Sequence, residues 1–592
     1  MNKIYNKNIQ YLMKLNCKIA NRVKNTSLSN TVVKKNKNNQ KNIIKKFNDK
    51  EIHMYSTYDI EKQAECITQY ALEEQHNIIF LFGLGLGYEF KKMIRENDDV
   101  RYFIVEPDIE TFKVLLSTEN IEFLFENKNV YFIQDDECAN IASFFNRVIS
   151  DDKRIDIKFI GLPVYEIIYK DLINKLHSEI KKILNIFNVN IHTSVSSHRA
   201  WVQAYIANLI HLKTTCPIEK LKGKFNNVPA IIIAAGPSLS KNIETLKKVG
   251  NKALLVAVGT GMNIVEKNSL KVHVGGITDV WIEEEDLFTL KTNKDVALLY
   301  ASTACYTVPR KFKKKFMMNT NMMDLYINNK LGFNYFNIFS GPSVSNTVAY
   351  NLSEIGCNPI IFLGQDLCYS EGKNYAEGAD AYEKIDNNTF ESNKGYIKEK
   401  NIKGKDVYTT PVFLSMKQSN EQCIANHKNT KYYNGTENGL NINGAENIDF
   451  DKYFIENLVK ADEYEIEERI ESCYNEEGNA IDKTSVDELI SSIHEENNKI
   501  ISICKNVIAF LDEESNEEDS KLKHIKKNDK ELMNITFYRQ VIKEYVYNIE
   551  CIYSNYNDVE KNRRIYAYIL EKSLIMENAF EYEVYGGKKC GE

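Results

Sequence analysis

A chain of 592 residues far exceeds the roughly 100–200 residues of a single domain, so two to four folded units are expected. Hydrophobic residues at 43% and charged residues at 27% exclude a disordered or fibrous protein, and a net charge of -6 gives no general attraction to nucleic acid. The 12 cysteines include no C-x-x-C pair, which argues against a zinc ribbon or a thioredoxin-like motif; buried thiols in a reducing compartment are expected.

Residues 1–50 carry thirteen Lys or Arg against one acid, Asp49. Residues 1–75 therefore read as a helical, basic N-terminal segment, its charges mostly solvated. This segment lacks the continuous apolar stretch of a signal peptide, and no part of the chain approaches the roughly 20 apolar residues of a membrane span. A cytoplasmic protein without membrane contact is expected.

From residue 76 to about 195 the pattern becomes α/β. A strand at Ile78–Phe82 meets the turn Gly83-Leu84-Gly85-Leu86-Gly87 and a helix near Phe90–Ile94; strands follow at Tyr102–Val105, Val130–Ile133 and Ile155–Ile160. Glu106 ends the second strand about twenty residues after the turn, the layout of a dinucleotide or S-adenosylmethionine site. A strand-to-helix turn that binds nothing fits the same residues. A long helical stretch from Pro163 to about Leu212 leads into a second α/β series over 196–450, with strands at Ala230–Ala234, Ala253–Val258, Val272–Ile277, Val296–Tyr300 and Pro359–Leu363. Residues 451–592 read as helices with acidic outer faces. The fold class is thus α/β, with two Rossmann-like sheet domains followed by a helical C-terminal region.

The turn Ala235-Gly236-Pro237-Ser238-Leu239 closes the strand at 230–233 and precedes a helix. Gly236 permits close backbone approach, Ser238 can cap or donate a hydroxyl, and the first helical N–H groups favour an anion such as phosphate. No lysine follows in a G-K-[ST] arrangement, so a P-loop for ATP is not written here. Asp279 lies just beyond the strand ending at Ile277, where ligands bind in open α/β sheets; capping a following helix would explain it equally. The histidines show no H-E-x-x-H or comparable spacing, and no metal site is expected.

Three further segments share this region: Phe339-Ser340-Gly341-Pro342-Ser343, Gly364-Gln365-Asp366-Leu367-Cys368-Tyr369, and Tyr433-Asn434-Gly435-Thr436-Glu437. With the Gly-Pro-Ser-Leu turn, in this order and spacing over roughly 230–445, they resemble the motility-associated factor (Maf) family of flagellin glycosyltransferases. Tyr55-Ser56-Thr57-Tyr58-Asp59 and the first sheet are also similar to that family's N-terminal domain. More distantly, the central segments resemble bacterial sialyltransferases that use CMP-sialic acid without a metal. The resemblance implies transfer of a nonulosonic acid (legionaminic, pseudaminic or sialic type), with inversion, from its CMP donor to Ser or Thr of flagellin, with no cofactor.

It further implies that Gly236, Pro237 and Ser238 hold the nucleotide, that Ser340 and Gly341 contact it, and that Tyr369 and Tyr375 bind the leaving phosphate. Ser343, Gln365 and Glu437 belong to the matched segments and join the substrate-binding set. Asp279 is placed to touch the sugar nucleotide, and Asn434 and Thr436 to contact donor or acceptor. The sialyltransferases carry a histidine where this chain has Lys405–Tyr408 and none. Asp366, Asp406 and Glu437 are therefore the carboxylates that could act as base. Two alternatives stay open: a pterin pyrophosphokinase-like diphosphate transfer, and a non-catalytic flagellin-binding chaperone.

Overall fold

The computed structural model describes every residue except 1–2, 75, 135–140, 150–154, 334–335, 371, 374, 377–378, 380–388, 391–394, 476–481, 516, 554–555 and 587–592. The chain forms two compact units, Met1–Asn188 and Val189–Glu592, where the sequence suggested four segments. The division falls within the helix Lys170–Ala207.

The first unit begins with helices Lys3–Leu15 and Cys17–Asn25. Contrary to the expected all-helical segment, an antiparallel sheet follows, of β1 (Thr31–Lys35), β2 (Lys41–Phe47) and β3 (Lys50–His53). The reason lies in β2, where Ile43 and Ile44 are buried and Lys45, also buried, pairs with Asp108 and hydrogen-bonds Thr31. One lysine of the basic segment therefore neutralises an internal acid, which charge counting cannot show. Behind it lies a parallel sheet of β4 (Ile78–Phe82), β5 (Arg101–Glu106), β6 (Val130–Gln134) and β7 (Ile157–Gly161), in the order β6-β5-β4-β7. Every residue of β4 is buried, as expected for the centre of a parallel sheet, and this order matches the first four strands of a Rossmann fold.

The second unit is built on a nine-stranded parallel sheet. Its strands are β8 (Cys216–Pro217), β9 (Ala230–Ile233), β10 (Leu254–Val258), β11 (Val274–Ile277), β12 (Ala297–Tyr300), β13 (Lys315–Met317), β14 (Ile360–Leu363), β17 (Tyr432–Asn434) and β18 (Glu446–Asn447). They lie in the order β18-β17-β14-β9-β10-β11-β12-β13-β8. A hairpin, β15 (Ile397–Lys400) and β16 (Asp406–Thr409), stands apart from it. The chain leaves β9 toward β10 through β13 and later returns to its other side as β14, so a topological switch point lies between β9 and β14. Helices Lys483–Asp512 and Asp558–Ala579 share one hydrophobic core with the sheet, Val486, Ile493 and Ile569 clustering with Ile231 and Leu255. The C-terminal helices are thus part of this unit and not a separate domain. No described helix is long and apolar enough to cross a membrane.

Candidate functional site

At the switch point the chain closes on itself. Gly236 N–H donates to the Gly364 carbonyl at 2.7 Å, extending the β9–β14 ladder past the strand ends. The Asp366 carboxylate then accepts from the Ser238 hydroxyl at 2.7 Å and from the Ser238 N–H at 3.2 Å. A Cβ on Gly236 would lie 2.1 Å from that carboxylate. The glycine is needed because a side chain of this protein, not a ligand, approaches the turn. Asp366 is 2% exposed, and burial pushes its pKa up to about 6, against the lowering effect of Ser238. Both Asp366 and Ser238 thus serve to hold the turn; the structure gives neither the open position expected of a base or a phosphate ligand. Pro237 is half-buried beside them.

Other expected residues share this bracing role. Asn434 and Thr436 are fully buried, the Asn434 side-chain oxygen Oδ1 accepting from the Thr436 N–H at 3.2 Å and hydroxyl at 2.7 Å. Gln365 is buried and accepts from Ser345. Glu437 forms ion pairs with Lys241 at 2.6 Å and Lys403 at 3.6 Å. Asp406 is an exposed carboxylate held down to about 2 by Lys400 and Lys398, which makes it a poor proton acceptor near neutrality. Tyr369 packs against Phe390, Tyr396 and Phe413, and its backbone bridges to Tyr408. Tyr369 and Tyr375 therefore face different partners.

The accessible chemistry gathers one and two strands away, at the carboxyl ends of β10 and β11. Gly259, at φ +49°, ends β10 and starts the helix Thr260–Lys267. A Cβ on Gly261 would stand 2.3 Å from the Ile233 carbonyl, so this helix begins against the end of β9. The helix Val344–Glu354, capped by Ser343, also begins here: Val344 lies within 3.5 Å of where side chains on Gly259 and Gly276 would project. Two helix N-termini thus direct their partial positive charge to one rim. Ser340 is exposed and Gly341 half-buried in the loop before the second of them, where a Cβ on Gly341 would strike Asn346.

Tyr375 joins the rim from β14. The Ala376 N–H donates to the Ala235 carbonyl at 2.8 Å, seating this segment at the end of β9. The Tyr375 hydroxyl hydrogen-bonds Thr260, and burial, Glu284 and Asp279 push its pKa up. Asp279 keeps solvent access while the surrounding protein raises its pKa. Glu284, in the turn of helix Ile282–Leu287, is pushed up to about 7 by burial, Asp279 and Glu283. One of its carboxylate oxygens is buried and has no hydrogen-bond partner among the described residues. Trp281 and Ile282, each 51% exposed, lie between the two acids in sequence. Sequence reasoning reached Asp279 and Tyr375 but missed Thr260 and Glu284. The Gly-Thr-Gly turn after a buried strand was a usable signal; Glu284 looked like one of three consecutive solvated acids.

Residues 203–372 match the model of a family described as 6-hydroxymethylpterin diphosphokinase MptE-like. A solved MAf glycosyltransferase structure from Magnetospirillum magneticum AMB-1 superimposes with a TM-score of 0.58 at 13% identity, covering 98% of this chain and 97% of that one. The likeness is one of fold. It extends over both units and the helical C-terminal region. No curated protein gives a significant match.

The first unit's glycine turn has a different content. Glu106 accepts from the Leu84 and Gly85 N–H groups at 2.9 and 3.1 Å and from the Tyr165 hydroxyl at 2.6 Å, and the Tyr55 hydroxyl accepts from Leu86 N–H. A Cβ on Gly83 would lie 2.5 Å from the Tyr165 ring. The glycines admit aromatic side chains of the protein itself, and Glu106, fully buried, is engaged with the turn where a nucleotide-binding site would offer it to a ribose.

Proposed function

We propose that the chain is a glycosyltransferase that moves a nonulosonic acid from its CMP ester to Ser or Thr of flagellin, with inversion. What carries this reading is the rim of Thr260, Asp279, Glu284 and Tyr375 beside two helix N-termini, set in a fold shared end to end with a MAf glycosyltransferase. Transfer of such a sugar develops positive charge on the ring and negative charge on the departing phosphate. Helix N–H groups and the Tyr375 hydroxyl suit the phosphate, and the two carboxylates suit the ring and the acceptor. The anion is thereby stabilised by preorganised dipoles, so the reaction needs no cation. Ser340 at the mouth and the exposed Trp281 would meet donor and acceptor.

The reading is tested by intact-mass analysis of flagellin co-expressed with and without this protein in a host making CMP-legionaminic, CMP-pseudaminic or CMP-sialic acid. A mass increase of one nonulosonic acid per modified site is expected, with CMP release that persists in EDTA. Unmodified flagellin in all three hosts would refute the reading.

One observation favours a second reading. The family match at 203–372 points to diphosphate transfer from ATP to a pterin, for which Asp279 and Glu284 would hold Mg²⁺. Metal-dependent AMP formation in place of CMP release would select it.

A further inference from the structure

We propose that Glu284 is the general base that takes the proton from the attacking acceptor hydroxyl. This assignment rests on the glycosyl-transfer reading and fills the role for which the sequence offered only Asp366, Asp406 and Glu437. Each of those is otherwise engaged: Asp366 holds the Ser238 turn, Asp406 pairs with two lysines, and Glu437 pairs with Lys241 and Lys403. Glu284 alone among the named carboxylates combines a half-buried position on the rim with a carboxylate oxygen that no described group satisfies. An unsatisfied buried oxygen is costly, and in a site it calls for a proton donor.

The surroundings fit the task. Among the described residues, the charged and titratable groups facing Glu284 are Asp279, Glu283 and Tyr375, and Lys311 pairs with the neighbouring Glu285 at 3.3 Å. Burial and the two acids raise its proton affinity to a value near neutral, where a base is strong enough to accept a proton and still ionised enough to do so. Tyr375, hydrogen-bonded to Thr260 at the head of a helix, and Glu284 act on each other across the rim. In the step, the acceptor oxygen forms its bond to the anomeric carbon as the bond from that carbon to the phosphate oxygen breaks. The electron pair leaves with CMP, and the hydroxyl proton passes to Glu284.

The test uses the full chain with flagellin and whichever of the three CMP-sugars wild type transfers. Glu284→Gln is expected to lower kcat by about 10²–10⁴-fold, with CMP binding by calorimetry and the thermal midpoint unchanged. The wild-type rate should rise with pH through about 7, and this limb should vanish in the variant. Should Glu284→Gln not fold, Asp279→Asn is read instead: removing the neighbouring charge should move the limb to lower pH. Wild-type rates and pH profile in Glu284→Gln, or an unmoved limb in Asp279→Asn, overturn the assignment while leaving glycosyl transfer standing. A wild type that modifies flagellin with none of the three sugars removes both.

Discussion

The two glycine-rich turns of this protein solve the same local problem and end in different places. In each, a carboxylate from a neighbouring strand end, Glu106 or Asp366, accepts the N–H groups that a bound anion would otherwise take. In the first unit, Tyr55 and Tyr165 complete the enclosure, and the residues from Gly83 to Gly87 are all buried. In the second, the enclosure stops at β9. One and two strands further, Thr260, Tyr375 and Glu284 are half-buried and Asp279 is exposed. A glycine turn after a buried strand therefore signals close backbone approach, and what approaches is decided by residues far away in sequence.

The largest effect is expected in the second unit. Tyr375→Phe removes one hydroxyl from the phosphate side of the rim, where a single oxyanion donor is worth about 10²–10³ in kcat. The side chain is half-buried and gives up its bond to Thr260, so stability should fall by about 1 kcal/mol. Turnover of CMP-sugar followed by CMP release measures the first and a thermal melt the second. Equal turnover in variant and wild type would make Tyr375 as structural as Glu106.

The converse substitution lies in the first unit. Gly83 has φ +89°, and an added Cβ would enter the Tyr165 ring. Gly83→Ala should cost on the order of 3 kcal/mol of stability, combining left-handed strain with overpacking. Gly250→Ala, at φ +53° with open space around the Cβ, should cost only about 1 kcal/mol from the backbone. Melting curves rank the two, and turnover per folded molecule should be unchanged in both. Lost turnover in folded Gly83→Ala protein would mean that the first turn serves the reaction.

Much of the frame was legible because it follows from local patterning. The buried runs at 78–82, 230–233 and 254–258 are continuous apolar segments between turn residues, and each is a central strand. The edge strands β8 and β18, and β13 next to β8, are two or three residues long, too short to carry a period. The hairpin of β1 and β2 was hidden by its lysines, since Lys45 reads as surface until Asp108 is brought beside it. The site was half legible for the same reason. Asp279 follows from its position past a strand end and Tyr375 from the family resemblance, whereas the roles of Asp366, Asn434 and Thr436 depend on which side chain reaches which backbone, a long-range matter.

The two turns should also differ in how their stability responds to pH. Glu106 is raised from 4.5 to about 7 by burial and Asp108, and Asp366 from 3.8 to about 6 by burial. A carboxylate whose folded pKa lies above its unfolded value binds its proton more tightly in the native state. Its stabilising contribution is full below the unfolded value and is lost as pH rises through the folded one. Between pH 5.5 and 8 the loss should be about 2 kcal/mol for Glu106 and about 1 kcal/mol for Asp366. Native-state hydrogen exchange separates the two, because the Leu84 and Gly85 amides report on the first turn and the Ser238 amide on the second. After correction for intrinsic exchange, protection at Leu84 and Gly85 should fall more steeply with pH, and Glu106→Gln should flatten that fall without touching Ser238. Equal slopes at the two turns would show that Asp366 is as deeply sealed as Glu106, and would remove the distinction between a closed first turn and a second turn bordering an open site.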